Sequence, residues 1–452
     1  MRYRFLAEAH RRPVWSEGAQ EVTRSSLVGT SSTETVIVGG GLSGLWTAFW
    51  LTEYSPGVLV HIVEAERIGH GASGRNGGWL SSLLPVSLTD LSSSIGEDRT
   101  VAVQTTMFEA VNEVVDLCLR HSIDADVAHG GSVSLIRGPA HEVRAQADLE
   151  DYRRFGFATH IAHLDRRHTA ERVRVDNESV FRPDCAVIHP RRLVEALARL
   201  LEDRGVVIHE NSRATSIGSG RVETPNGSLV ANSVVDCREA YGARDSGRRV
   251  VPIQSSMIAT EPLSPKIWER IGLFGREALS DYRRQIVYAQ RTADDRLAFG
   301  GRGVGYTYGS RVRSSADFDD RVHSQLFESM VDLFPELRDT RITHRWGGPL
   351  GVPRDWTWTV DFDVHDRVGR MGGYVGDGVT STYVAGRAMA RLIMEGADDL
   401  ALVGHRSPRW EPEPLRWIGI NTANRLASMV DRQESAGRVG GVLSRVVDAL
   451  IG

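Results

Sequence analysis

Residues 35–51 read TVIVGGGLSGLWTAFWL. The β-branched, apolar run Thr35–Val38 predicts a buried strand. Gly39-Gly40-Gly41-Leu42-Ser43-Gly44 follows at once, and Leu45–Tyr54 is helix-compatible until Ser55-Pro56-Gly57 ends it. Val58–Val63 predicts a second strand, closed by Glu64. In this order each glycine has a physical task. Gly39 permits the tight turn, Gly41 lets backbone approach a pyrophosphate, and Gly44 lets the helix pack close to the strand. The helix N-terminus then offers unpaired N–H groups and a positive dipole end to the anion. Glu64 stands 20 residues after Gly44, where an acid meets a ribose hydroxyl. The alternative, a purely structural glycine turn with a surface acid, does not account for all four features together. The unit predicts a bound dinucleotide without choosing between FAD and NAD.

The rest of the chain sets bounds. At 452 residues it is long enough for two to three domains or sub-domains. A net charge of −4 gives no basic footprint for nucleic acid, and no apolar run reaches the ~20 residues of a membrane span. The N-terminal MRYRFLAEAHRRPVW lacks the apolar core of a secretory signal. Cys118, Cys185 and Cys237 form no metal spacing, so reduced thiols, a cytoplasmic location and no metal are expected. Lysine and arginine number 54 together, yet the only lysine is Lys266.

Outward from the glycine turn, residues 1–33 read as an irregular arm ending in SSLVGTSST. Helices are expected at Thr100–His121, Arg191–Glu202, Phe318–Phe334 and Ser381–Glu395. Strands are expected at Gly131–Ile136, Val206–His209 and Val234–Cys237, with a hairpin over Arg221–Val230 and strand-rich stretches at 250–260 and 285–301. Nucleotide-binding signals near both ends, with strand-rich material between, predict an α/β architecture. A Rossmann-like nucleotide-binding domain built from discontinuous segments (34–95, 181–245, 341–400) gives that order, with 96–180 and 246–340 between them and a C-terminal helical tail (401–452).

A second glycine cluster decides the cofactor. Gly71-Ala72-Ser73-Gly74-Arg75-Asn76-Gly77-Gly78 can lay backbone amides beside an anionic or ring-edge acceptor. Together, VIVGGGLSGLWTAFWL and VEAERIGHGASGRNGGW resemble the D-amino-acid-oxidase/glycine-oxidase superfamily of FAD enzymes, closest to its γ-glutamylputrescine oxidase-like branch. The resemblance continues through IHPRRLVEALARLL (188–201), VVPIQSSMIATEPL (250–263), RLAFGGR (296–302) and GGYVGDGVTSTYVAGR (372–387).

It implies the two-domain fold of glutathione-reductase-type flavoproteins, a Rossmann-like FAD-binding domain beside an antiparallel-sheet α+β substrate domain (96–180, 246–340), and an amine or amino acid oxidised by hydride transfer to flavin N5. The imine product is then hydrolysed, and oxygen is the expected acceptor. It also implies roles by position. Gly39, Gly41, Leu42, Ser43 and Gly44 would hold the pyrophosphate, and Glu64 with Ala65 the adenosine ribose. Ser73, Gly74, Arg75, Asn76, Gly77 and Gly78 would flank the pyrophosphate and flavin edge. Ala214 would meet adenine, and Gly376, Asp377, Gly378, Val379 and Thr380 would lie near flavin N1 and O2. A helix beginning at Thr380–Ser381 would aim its positive end at the reduced flavin.

Departures from the family pattern shape the chemistry. HRWGGPLGVPRDW (344–356) carries no cysteine, and Arg75 stands where some relatives attach flavin through histidine, so FAD is expected to be non-covalent. Sarcosine oxidase uses lysines near N5 and for the substrate carboxylate; here Lys266 reads as a surface residue and Thr380 replaces the second. Arg75, Arg302 and Arg345 are the candidate carboxylate binders, each with the alternative of an ordinary structural arginine. Tyr282, Tyr288, Trp346, Trp356 and Trp358 are candidates to wall the substrate face, or plain core. His189 reads as structural at a strand end, and His344 as a weaker candidate for the site. Two other readings stand beside this one: an NAD(P)H-dependent flavin hydroxylase or a biosynthetic dehydrogenase with a non-oxygen acceptor, and a non-catalytic flavin scaffold. Against the hydroxylase, Gly378-Val379 follows Asp377 where such enzymes carry Ala-Ala-His. The sequence does not fix the oligomeric state.

Overall fold

The strand entering the glycine loop begins earlier than its apolar core suggests. In the computed structural model it spans Gly29–Val38, exposed over its first four residues and buried over its last four. The second half of the Ser/Thr-rich stretch, Gly29–Thr33, is therefore strand, not arm. Its polar side chains face water, so no apolar period marks it, while its β-branched threonines still suit a pleated backbone. It pairs in parallel with Gly227–Asp236 from Gly29↔Gly227 to Val38↔Asp236, and with Val60–Val63. The structure describes residues 8–18 and 22–435, and beyond these only 437, 441, 444 and 447; side chains of 302–304 lie outside the description.

The first sheet runs in the order Thr359–Asp363, Val368–Gly372, Gly227–Asp236, Gly29–Val38, Val60–Val63, Val207–His209. Its members come from three stretches of chain. Gly227–Asp236 is one strand, where the sequence suggested a hairpin arm and a separate strand at 234–237. The helices Leu42–Tyr54 and Gly378–Glu395 cover one face and cross closely: a Cβ on Gly386 would stand 2.8 Å from the Thr47 nitrogen.

The second sheet runs Ile342–Pro353, Val250–Thr260, Leu297–Val304, Val287–Arg291, Ala278–Asp281, Ser132–Ile136, Glu178–Arg182, Ala162–Leu164. Neighbours are antiparallel except Ala278–Asp281 and Ser132–Ile136. Because Ile342–Pro353 belongs here, the change of sheet falls after 353 and not at 341. Its alternation was hidden because nearly every residue on it is buried, on both faces. It is an edge strand, and the N-terminal segment lies along it: His10 N donates to Thr343 O at 2.8 Å and Arg345 N to His10 O at 3.0 Å. A C-terminal helix, Leu415–Ser435, packs on the same half of the molecule. No described helix is long and apolar enough to cross a membrane.

Candidate active site

The parallel strands of the first sheet end together at Val38, Val63 and Asp236, and a cavity of about 240 Å³ opens beyond them. Ligands of open α/β sheets bind at such carboxyl ends. Gly39, with φ +114°, makes the turn; Gly44 stands so close that a Cβ would lie 2.1 Å from Gly39 O. The two glycine clusters are tied to each other, since Ser73 Oγ accepts the Leu42 N–H at 2.8 Å. The Glu64 carboxylate accepts Gly40 N–H at 2.7 Å and Glu66 N–H at 2.9 Å, while burial holds its pKa above the ordinary carboxylate range.

A second cavity, about 370 Å³, adjoins the first: Ala72, Asn76, Leu350, Gly376 and Val379 line both. Its walls are aromatic, with Trp79, Tyr282, Tyr288, Trp346 and Trp356. The loop between the cavities is held from outside by three carbonyl contacts in a row. Trp346 Nε1 donates to Arg75 O at 2.7 Å, Trp15 Nε1 to Asn76 O at 2.9 Å, and Gln290 Nε2 to Gly77 O at 2.6 Å. Asn76 builds the turn itself, accepting Gly78 N–H at 2.7 Å and donating to Ser73 O at 2.9 Å.

Of the residues singled out from sequence, Gly39, Gly41, Leu42, Ser43, Glu64, Ala65, Ser73, Asn76, Ala214, Gly376, Gly378 and Val379 line the first cavity. Arg75, Gly77, Asp377, Tyr282, Tyr288, Trp346 and Trp356 line the second. Gly44, Gly74 and Gly78 line neither; they allow close packing behind the loops. Thr380 also lines neither. The helix begins at Gly378, not at Thr380–Ser381, so Thr380 sits inside its first turn with a buried hydroxyl. A glycine as the first helical residue hides that start from sequence patterning.

Arg345 is corrected: strand alternation sends Trp346 to the cavity and Arg345 to the opposite face, buried and paired with Asp320. Arg302 stands on the strand Leu297–Val304, and its side chain lies outside the described residues. Arg75 lines the cavity but is engaged, donating to Asp317 at 2.8 Å and Gly347 O at 3.1 Å. Trp358 is core of the first domain. His344 faces the N-terminal segment, and burial pushes its pKa down to about 4. His189 caps the helix Pro190–Asp203, accepting Arg192 N–H. Lys266 is exposed on Pro265–Ile271 and lines neither cavity.

Sequence reasoning missed the segment 237–241. Cys237, Arg238, Glu239 and Tyr241 line the first cavity, immediately past the strand end at Asp236. The position after a parallel strand was the available signal. Glu239, with φ +49°, turns its carboxylate inward. There it accepts Gly351 N–H at 2.9 Å and Gly373 N–H at 3.3 Å, joining the two sheets behind the first cavity; burial raises its pKa. Arg144, Asp281 and Arg283 in the second cavity were also missed.

Residues 34–392 match the family model described as FAD dependent oxidoreductase, DAO. The chain is 30% identical over 374 residues to the gamma-glutamylputrescine oxidoreductase of Escherichia coli (strain K12), covering 80% of this chain and 84% of that protein. Glycine oxidase from Geobacillus kaustophilus superposes with a TM-score of 0.66 at 18% identity, over 83% of this chain and 99% of that one. L-Proline dehydrogenase from P. horikoshii gives 0.66 at 16%, over 84% and 96%. The glycine loop, Glu64 and the late helix start fit a flavin dinucleotide, and the chain belongs to the DAO family of FAD-dependent oxidoreductases.

Proposed function

We propose that the chain oxidises a C–N bond of an amine held in the second cavity, with FAD bound non-covalently along the first. The observation that carries this reading is the shared lining. Asn76, Gly376 and Val379 border both cavities, so a dinucleotide lying on the glycine loops would meet a substrate at that junction. Bound FAD supplies the acceptor for the hydride that leaves the carbon next to nitrogen. The chain's own residues do the rest. Gly39, Gly41 and Ser43 would hold the pyrophosphate, Glu64 the ribose, and Ser73, Asn76 and Gly77 the region between pyrophosphate and ring. The N-terminal turn of Gly378–Glu395 would favour negative charge beside it.

The aromatic walls and the arginines Arg75, Arg144 and Arg283 beside them favour an amine that arrives neutral over a charged ammonium. An amine is favoured over an α-amino acid by the charge pattern. Arg75, Arg144 and Arg283 each already carry a carboxylate partner: Asp317, Glu434 and Asp281. The relative named for gamma-glutamylputrescine supports an amine as well. Oxygen is the proposed acceptor. Because one structural neighbour is named an oxidase and another a dehydrogenase, the fold does not choose it.

The test is an anaerobic screen of primary, secondary and N-methyl amines, following bleaching of the oxidised-flavin band near about 450 nm. Bleaching by an amine is expected. Rapid bleaching by NADPH alone, with every amine inert, overturns the reading in favour of a hydroxylase. An oxygen electrode, set against a dye acceptor, then reads the reoxidation step. Acid precipitation that leaves the colour in solution checks non-covalent binding.

A further inference from the structure

Behind the second cavity lies a third, of about 320 Å³, roofed by the C-terminal helix Leu415–Ser435. Among the described residues, Trp356 alone lines both. Its backbone sits at φ +56°, and Val375, on the wall of the second cavity, shares that value. A bulky or β-branched residue rarely adopts this conformation, and such strain concentrates where a side chain must be aimed. Here it sets the Trp356 side chain in the partition between two chambers.

The third chamber is a built site. Its walls are Ile253, Tyr306, Val352, Trp410, Ile420 and the Trp356 partition. Three arginines reach it: Arg416 beside Glu413 at 3.0 Å, Arg354 beside Glu411 at 3.5 Å, and Arg284 at 3.7 Å from Glu434, a carboxylate it shares with Arg144. Two of these guanidinium planes lie over its rings, Arg354 over Trp410 at 5.2 Å and Arg416 over Tyr306 at 5.4 Å. The apolar walls, the paired Arg354 and Arg416 and their stacked faces suit an apolar or aryl group.

The roof is firmly seated. Asp431 accepts the Arg284 and Gln285 N–H groups at 2.8 Å each, and Asn421 Nδ2 donates to Tyr306 O at 3.0 Å. Gly419, in that helix and lining the chamber, has nothing within 4 Å of where a Cβ would stand. Glycine is a poor helix former, so its use here coincides with open space. The helix lies beyond residue 392, where the family match ends.

We infer that this chamber is a distal subsite for the substrate's far end, an aryl or long alkyl group. The amine-bearing carbon stays in the second cavity and the tail passes Trp356. The inference rests on the second cavity being the substrate cavity.

The test uses the holoenzyme and two series of primary amines, n-alkylamines and ω-phenylalkylamines of increasing length. Apparent Kd is read from the concentration dependence of anaerobic flavin bleaching. Each added methylene that reaches the chamber should tighten binding about fourfold until the space is filled. In Gly419→Trp, and independently in Ala423→Phe, the long-to-short ratio of Kd should collapse to about one; Gly419→Ala, with flavin content measured, controls for folding. A Kd flat across both series, or a length dependence untouched by both filling variants, overturns the inference. The reaction and the subsite fail separately. If no amine bleaches the flavin, the same tails as amine-free alcohols are titrated by thermal shift. The subsite then requires wild type, but not Gly419→Trp, to be stabilised.

Discussion

The two joined cavities are built in opposite ways. The first is made largely of backbone and small side chains, from turns at 39–44, 64–66, 71–73 and 237–239 that sit at strand ends or between them. The second is made of large side chains from segments far apart in the chain: Trp79, Tyr282, Tyr288, Trp346 and Trp356. Even the loop they share is held by an N-terminal tryptophan, a central glutamine and a late tryptophan. In the proposed reading, a cofactor common to a whole family is met by geometry that side-chain changes barely touch. In that same reading, a substrate particular to one chain is met by side chains, of which Trp346 also holds the shared loop.

The contrast breaks most severely at Gly44. In Gly44→Val the first added atom would meet Gly39 O at 2.1 Å and Ile37 Cγ2 at 3.0 Å. Overpacking of this kind costs about 3 kcal/mol. The purified variant should show a lowered Tm and a flavin-to-protein absorbance ratio near zero; retention of flavin would mean that backbone approach does not define the first cavity.

Glu239 tests the junction between the two constructions. Glu239→Ala leaves the buried Gly351 and Gly373 N–H groups without their acceptor, at a cost of about 2 kcal/mol. Flavin retention and Tm should both fall, and Glu239→Gln, which keeps one carbonyl oxygen there, should recover part of each. Equal loss in both variants would assign the effect to charge rather than to the hydrogen bonds.

The N-terminal segment supplies a pH test on the second half. His344 is held neutral, its pKa lowered from 6.5 to about 4 by burial and neighbouring cations. Above the unfolded value the group is neutral in both states. As pH falls from 6.5 toward 4, the unfolded chain takes up a proton that the folded one refuses, so stability is lost across that window. His344→Asn should flatten the fall in Tm over this range; an unchanged slope would place acid sensitivity elsewhere.

The smallest effect is expected at Trp15. Trp15→Phe keeps a ring against Trp346 but loses the bond to Asn76 O, worth about 1 kcal/mol. Flavin should be retained while kcat falls about fivefold. Loss of flavin instead would place Trp15 in the support of the first cavity.

How much was legible follows the same division. Strand, turn, helix and acid at 35–64 could be read because each function there depends on residues close in sequence and on the absence of side chains. Arg345 and Trp346 could not be told apart, because which of two neighbours faces a cavity depends on the register of an edge strand buried on both faces. The Glu239 carboxylate was invisible because its partners, Gly351 and Gly373, lie more than a hundred residues away.

By itself the sequence determined the dinucleotide turn, the acid at its second strand and the resemblance that names FAD. All of these rest on local backbone geometry and fixed spacing. Only the tertiary structure decided that Arg75 is already engaged by Asp317, that Trp15 and Trp346 hold the loop at Arg75 and Asn76, and that a helix beyond residue 392 roofs a further chamber. Those facts depend on which distant surfaces meet when two sheets pack, and no local pattern encodes that meeting.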